Sequence, residues 1–178
     1  MPFPYVFLDR DDTLIYDVPY LSDPNKIRFT PDACEALRQM MRIGYRLALI
    51  TNQSGIARGY FTREQLDAVH QRLTTLLEWE GVHLDGIFLC PHGPKDNCTC
   101  RKPQVGMLLQ ACDALEVDRT RSVMIGDKEA DVQMGRNFHL KTIQLALPEK
   151  NAPDLHADLR VSSLLEAIPT LQQWLTND

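Results

Sequence analysis

An α/β fold, with a parallel sheet sandwiched between two layers of helices, is predicted by two features of this sequence. Short β-rich apolar runs alternate along the chain with segments of helical period, the order in which helical crossovers build a parallel sheet. The 178 residues, 44% apolar and 24% charged, suffice for one hydrophobic core and are short for two. A single unit over residues 1–178 is therefore expected, with no space between its elements for a separate cap domain.

Residues 4–9 and 47–51 read as the first two strands. Between them, Thr30-Pro31-Asp32 is expected to open a helix with a cap and a proline at its first position; Cys34, Leu37 and Met41 share a face, and Gly44 ends it. Thr62 and Gln65 have capping-box spacing, and Leu66, Val69, Leu73, Leu76 and Leu77 keep helical period as far as Gly81. Strands at 86–90, 122–126 and 141–145 follow, interleaved with helices at 104–115 and 129–137. The stretch 146–158, with Pro148 and Pro153, reads as surface connection before a short final strand and a helix at 163–175 carrying Leu164, Ile168, Leu171 and Trp174. The result is a doubly wound, three-layer, Rossmann-like arrangement with helices on both faces.

Composition narrows the class of partner. Net charge is −5, from nineteen Lys and Arg against twenty-four Asp and Glu, and no basic run is present to track a phosphate backbone. Nucleic acid is not expected as a partner, and the aromatic residues offer no stacking platform. The longest apolar stretches, 47–50 and 86–90, fall far short of the roughly 20 residues that span a bilayer. The N-terminal Met-Pro-Phe-Pro-Tyr lacks a basic region leading into an apolar core, so no membrane association and a cytoplasmic location are expected. No large apolar stripe is left over, which makes a monomer the default.

Chemistry gathers where strands end. Asp9-Arg10-Asp11-Asp12-Thr13 directly follows the first strand, and ligands of open α/β sheets bind outside the carboxyl ends of the strands. Two carboxylates at this spacing can divide labour between nucleophile and proton donor, although alone they would read as an acidic turn. The second strand ends in Thr51-Asn52-Gln53-Ser54 and the fourth in Gly126-Asp127-Lys128, with Asp131 beyond. Arg101 and Lys102 add the adjacent cations that a phosphate-handling site requires.

Taken in order, Asp9-x-Asp11-x-Thr13, the strand-end Thr51, Lys102 and Gly126-Asp127-x-x-x-Asp131 resemble the four motifs of the haloacid dehalogenase superfamily, over nearly the whole chain. Thr51 to Gly59, Cys90-Pro91-His92 and Cys100-Arg101-Lys102-Pro103 are more narrowly similar to its branch of heptose bisphosphate and histidinol phosphate phosphatases, which lacks a large cap and typically binds zinc. Thr51 to Gly59 with Phe61-Thr62 leans towards the heptose members, whereas the short His92–Cys98 loop also occurs on the histidinol side.

The resemblance implies a small phosphorylated metabolite as substrate, Asp9 as nucleophile and Asp11 as acid and then base. Thr51 and Lys102 would stabilise the phosphoryl group. Mg2+ would lie among Asp9, the Asp11 carbonyl and Asp127, with Asp131 orienting a metal-bound water. Asp17, Tyr20, Asn52, Gln53, Ser54, Arg101 and Lys128 would meet the substrate, with a surface role as the alternative for Lys128.

Cys90, His92, Cys98 and Cys100 form a Cys3His set of the thiolate-rich kind that holds structural Zn2+. It is expected to fix a loop rather than react. Cys34 and Cys112 read as buried thiols, and His70, His83, His139 and His156 as structural or surface groups. One position departs from the superfamily pattern: Asp12 stands where glycine is usual. A carboxylate there would repel substrate unless it points outward; activity is expected to survive, with a reduced rate or altered metal dependence as the alternative, and a zinc-stabilised binding module that has lost turnover is the reading from a different class.

Overall fold

The computed structural model describes residues 1–176; residues 177 and 178 of the expected 1–178 unit lie outside the described residues. Strands β1 (Phe3–Leu8), β2 (Arg46–Asn52), β3 (Gly86–Cys90), β4 (Val117–Gly126), β5 (Lys141–Leu145) and β6 (Leu159–Val161) form one sheet in the order β3-β2-β1-β4-β5-β6. Every pairing is parallel. The chain winds one way from β1 through β3 and the other way from β4 through β6. That reversal opens a crevice at the carboxyl ends of β1 and β4.

Both faces of the sheet are covered, which is why its central strands are apolar without alternation. Val6, Leu8, Leu47, Leu49, Val123 and Ile125 face one core with helices α1 (Ala33–Arg42), α2 (Arg63–Trp79) and α5 (Ile168–Thr176). Tyr5, Phe7, Ala48, Ile50 and Met124 face the other, against α3 (Gly106–Ala114) and α4 (Glu129–Asn137). Each fully buried aliphatic side chain contributes about 1.5–3 kcal/mol relative to exposure.

Four local expectations are corrected. Helix α1 begins at Ala33, after Asp32 in the left-handed region (φ 58°). Thr30 does not cap it: its hydroxyl donates to the Thr13 carbonyl at 2.8 Å. Its buried face is Ala33, Ala36, Leu37 and Met40, with Cys34 and Met41 at the margin. Strand β4 starts at Val117, not 122, because Val117 and Asp118 already pair with Phe3 and Pro4 before an irregularity between Pro4 and Val6 shifts the register to Val123. The Tyr5 amide there donates to Ser122 Oγ at 2.9 Å.

The helix expected at 163–175 begins as a 3-10 turn, Leu164–Ala167, and becomes α-helical only at Ile168. Pro169 cannot supply the amide that would continue an α ladder back to residue 165. The connection 146–158 carries a second 3-10 turn, Pro148–Lys150. By contrast the Thr62–Gln65 capping box is present in both directions at the start of α2. No helix among the described residues is long and apolar enough to cross a membrane.

Candidate active site

The crevice is a cleft of about 420 Å3 lined by Asp9, Arg10, Asp11, Asp17, Tyr20, Asn52, Gln53, Ser54, Arg101, Lys102, Lys128 and Asp131, among others. At its floor Lys102 is 6% exposed. Its Nζ lies 2.6 Å from Asp9 Oδ1, 2.6 Å from Asp131 Oδ1 and 2.9 Å from the Ile50 carbonyl oxygen. Burial opposes the ammonium charge, but Asp131 and Asp9 outweigh it and hold Lys102 above its ordinary pKa. Parallel strands bring this about, since β1 delivers Asp9 and the loop after β3 delivers Lys102 to the same edge.

Asp127 and Asp131 complete an acidic cluster in which ligand oxygens of Asp9, Asp127 and Asp131 lie within 4.8 Å of one another. Burial and then the Asp9 charge push Asp127 up to about 8. Burial pushes Asp131 up to about 6 against the opposing pull of Lys102. Asp127 Oδ1 is buried without a hydrogen-bond partner. An orphaned carboxylate oxygen beside two more carboxylates fits a hard cation with oxygen ligands. Asp131 also caps α4, accepting the Lys128 amide at 3.0 Å. Gly126 permits this approach, since a Cβ there would lie 2.3 Å from Asp131 Cγ.

Asp11 is held from two sides. Arg10 donates through Nε to Asp11 Oδ1 at 3.0 Å and through Nη2 to Oδ2 at 3.1 Å, while Gln53 Nε2 donates to Oδ2 at 3.1 Å. Burial raises the Asp11 pKa and the neighbouring Arg10 charge counters it. Gln53 Nε2 also donates to Thr51 Oγ1 at 2.9 Å, which leaves the Thr51 hydroxyl proton free to be given elsewhere. Asn52 accepts the Lys102 amide at 3.0 Å and donates to the Lys102 carbonyl at 3.4 Å. Asn52 and Gln53 thus line the cleft while their side-chain amides hold Lys102, Asp11 and Thr51.

The four-residue cysteine and histidine set converges as well, the Sγ atoms of Cys90, Cys98 and Cys100 and the His92 ring nitrogen lying within 4.8 Å of one another. None of these cysteines is in a disulfide. Arg101 is tied to this loop twice, its amide donating to Cys98 Sγ at 3.4 Å and its Nη1 to the His92 carbonyl at 3.2 Å. The thiol-rich cluster therefore sets where Arg101, and next to it Lys102, meets the cleft. Cys34 and Cys112 are partly buried at the margins of the two cores, away from this loop.

Lys128 lines the cleft with an exposed side chain, so it takes the pocket position as well as part of the surface one. Tyr20, at φ 53°, packs its ring 4.1 Å from that of Tyr60, and its hydroxyl lies 3.4 Å from Arg58 Nη1. Tyr20, which lines the cleft, and Tyr60 are both exposed and tilted against each other at 45°.

Asp12 adopts the left-handed conformation at φ 55° that glycine would take without strain. Its carboxylate accepts the Asp17 amide at 2.9 Å and pairs with Lys150 Nζ at 2.9 Å. The extra charge is neutralised by Lys150, from the stretch 146–158 that reads as surface connection. Lys150→Ala is expected to raise KM for a phosphate ester by about threefold with kcat nearly unchanged, the scale of one partly exposed ion pair. Adding Asp12→Gly should restore it; steady-state kinetics of the two variants check both.

Sequence reasoning missed Arg10 as a support of Asp11; His70, expected to be a structural or surface group, is buried on α2. The signal for His70 was a polar residue four after Leu66 and three before Leu73, inside the buried stripe of α2. His83, His139 and His156 are exposed, as expected.

The HAD-hydrolase-like family model matches residues 99–167. A D-glycero-beta-D-manno-heptose-1,7-bisphosphate 7-phosphatase of Yersinia pestis is 43% identical over 173 residues, 92% of each chain. The enzyme of that name from Haemophilus influenzae is 44% identical over 146 residues, 76% of this chain and 77% of its own. Among solved structures, D,D-heptose 1,7-bisphosphate phosphatase from B. bronchiseptica, complexed with magnesium and phosphate, superposes with a TM-score of 0.82 at 28% identity, covering 96% of this chain and 98% of that one. With its six-stranded parallel sheet, its strand-end carboxylates and these relatives, the chain belongs to the haloacid dehalogenase superfamily of phosphatases, in the family of the heptose 1,7-bisphosphate 7-phosphatases.

Proposed function

We propose that this protein hydrolyses the phosphomonoester at C7 of D-glycero-D-manno-heptose 1,7-bisphosphate, a free small metabolite, in the cytoplasm. The observation that carries the chemistry is the convergence of Asp9, Asp11 and Lys102 on one cleft, with Thr51 buried behind its lining and bonded to Gln53. What carries the substrate is about 40% identity, over most of the chain, to enzymes of that name. Asp12 is buried and paired with Lys150 rather than lining the cleft, which speaks against a binding module, and the absence of a basic track speaks for a free metabolite over a nucleic-acid end.

In this reading the Asp9 carboxylate attacks phosphorus, and a new Asp9 O–P bond forms as the ester O–P bond breaks. Asp11 gives its proton to the departing sugar alkoxide. Water then attacks the phospho-aspartate, yielding its proton to Asp11, which releases phosphate and regenerates both carboxyl groups. Thr51 donates its free hydroxyl proton to a phosphoryl oxygen, Lys102 balances charge on the transferring group, and Asp17, Ser54, Arg101 and Lys128 surround the substrate. Asp9, Asp127 and the Asp11 carbonyl would hold Mg2+, with Asp131 orienting its water. That ion supplies charge neutralisation for the phosphoryl oxygens. Cys90, His92, Cys98 and Cys100 would hold Zn2+ as a structural centre.

The test is phosphate release with magnesium, offering the heptose bisphosphate and histidinol phosphate side by side, with Asp9→Asn as blank. A far higher kcat/KM on the heptose compound is expected; the reverse order would overturn the substrate. Removing zinc, by chelation or by Cys98→Ser, is expected to lower kcat/KM by about 10- to 100-fold through loss of a supporting shell. Much of the sheet should stay folded, which circular dichroism alongside metal analysis would follow.

A further inference from the structure

We infer that His70 and Arg10 are a buried positioning pair that holds the Asp11 carboxyl group in its working orientation. Arg10 is 1% exposed and His70 7% exposed. A guanidinium taken out of water is tolerated only when its donors are paired. Arg10 directs Nε and Nη2 at Asp11 and Nη1 at His70 Nε2, 3.1 Å away.

An arginine only donates, so Nε2 is the acceptor and the imidazole is neutral. Burial, with the Arg10 charge adding to it, holds His70 down to about 3. The ring is therefore a fixed acceptor. It reaches the site from α2, an element that contributes nothing else to Asp11, and it lies on the side of Arg10 away from the carboxylate. Gln53 holds Asp11 Oδ2 independently at 3.1 Å. With His70 removed, Nη1 would be left buried and unpaired, and Arg10 would have to turn to find another acceptor, taking Asp11 with it.

The inference rests on the reading of Asp11 as the acid that protonates the leaving group, and its test uses that dependence. An alkyl phosphate needs a proton on the departing oxygen, whereas p-nitrophenyl phosphate leaves without one. kcat/KM, which covers the step in which the ester bond breaks, would be measured on the heptose bisphosphate and on p-nitrophenyl phosphate for wild type, His70→Leu and His70→Gln, beside thermal unfolding.

His70→Leu is expected to lose about 10- to 100-fold on the alkyl ester and less than about threefold on the nitrophenyl ester. His70→Gln puts an amide oxygen where Nε2 was and should recover most of the loss. Arg10→Lys keeps the charge but not the fork, and should repeat the same leaving-group pattern if His70→Leu does not fold. Equal losses on both esters, or no loss, would overturn the inference. A wild type that hydrolyses histidinol phosphate but not the heptose compound would overturn the substrate alone, with histidinol phosphate then serving as the alkyl ester. A wild type inactive on all three overturns both.

Discussion

Lys102→Met is expected to reduce phosphate release by about 10^3-fold or more and to destabilise the fold at the same time. Lys102 is the ammonium bonded at 2.6 Å to both Asp9 and Asp131, two carboxylates that are themselves buried. Without it those carboxylates face each other and Asp127 uncompensated, and the transferring phosphoryl group meets no balancing cation. Breaking a buried pair costs about 3–5 kcal/mol, which in a chain of this size corresponds to a fall of roughly 6–20 °C in Tm. Kinetics and thermal unfolding of the same preparation check the two effects. Activity within tenfold of wild type would contradict the assigned role.

Asp9→Asn should be the mirror case. Turnover is expected to fall by about 10^4-fold or to background, because an amide cannot form the phospho-enzyme. Stability should instead equal or exceed that of wild type. The cluster holds three carboxylates around one ammonium, and removing one relieves the repulsion that helps raise Asp127 to about 8. Lys102 keeps Asp131 and finds an acceptor oxygen on the new amide. Stabilisation by added magnesium should shrink, since one anionic ligand is lost. A destabilised Asp9→Asn with wild-type response to magnesium would mean that Asp9 is a structural ion-pair partner instead. The opposite signs of the two variants on Tm separate charge balance from catalysis, which activity alone does not.

What was legible in the sequence was whatever depends on short-range pattern. Apolar runs of strand length separated by helical period gave the sheet and its two helical layers, because burial on both faces leaves no polar position to interrupt β1 or β2. Strand-end motifs carried Asp9, Asp11, Thr51 and Asp127 because the chain must turn there and expose polar groups at the sheet edge. The Cys3His set was readable from its residue types. Element boundaries were less so: the register shift between Pro4 and Val6 that splits β4, and the effect on α5 of the amide Pro169 lacks, appear only once the partner strand or turn is in place.

Tertiary structure alone decided which side chains support which. Nothing local pairs Asp12 with Lys150 across the chain, places His70 of α2 behind Arg10, or commits Asn52 and Gln53 to holding Lys102, Asp11 and Thr51. These are contacts between elements that are distant in sequence, set by the strand order and by which helix covers which face. Their strength comes from burial, which makes an unpaired donor or charge costly enough that each polar group must find its partner.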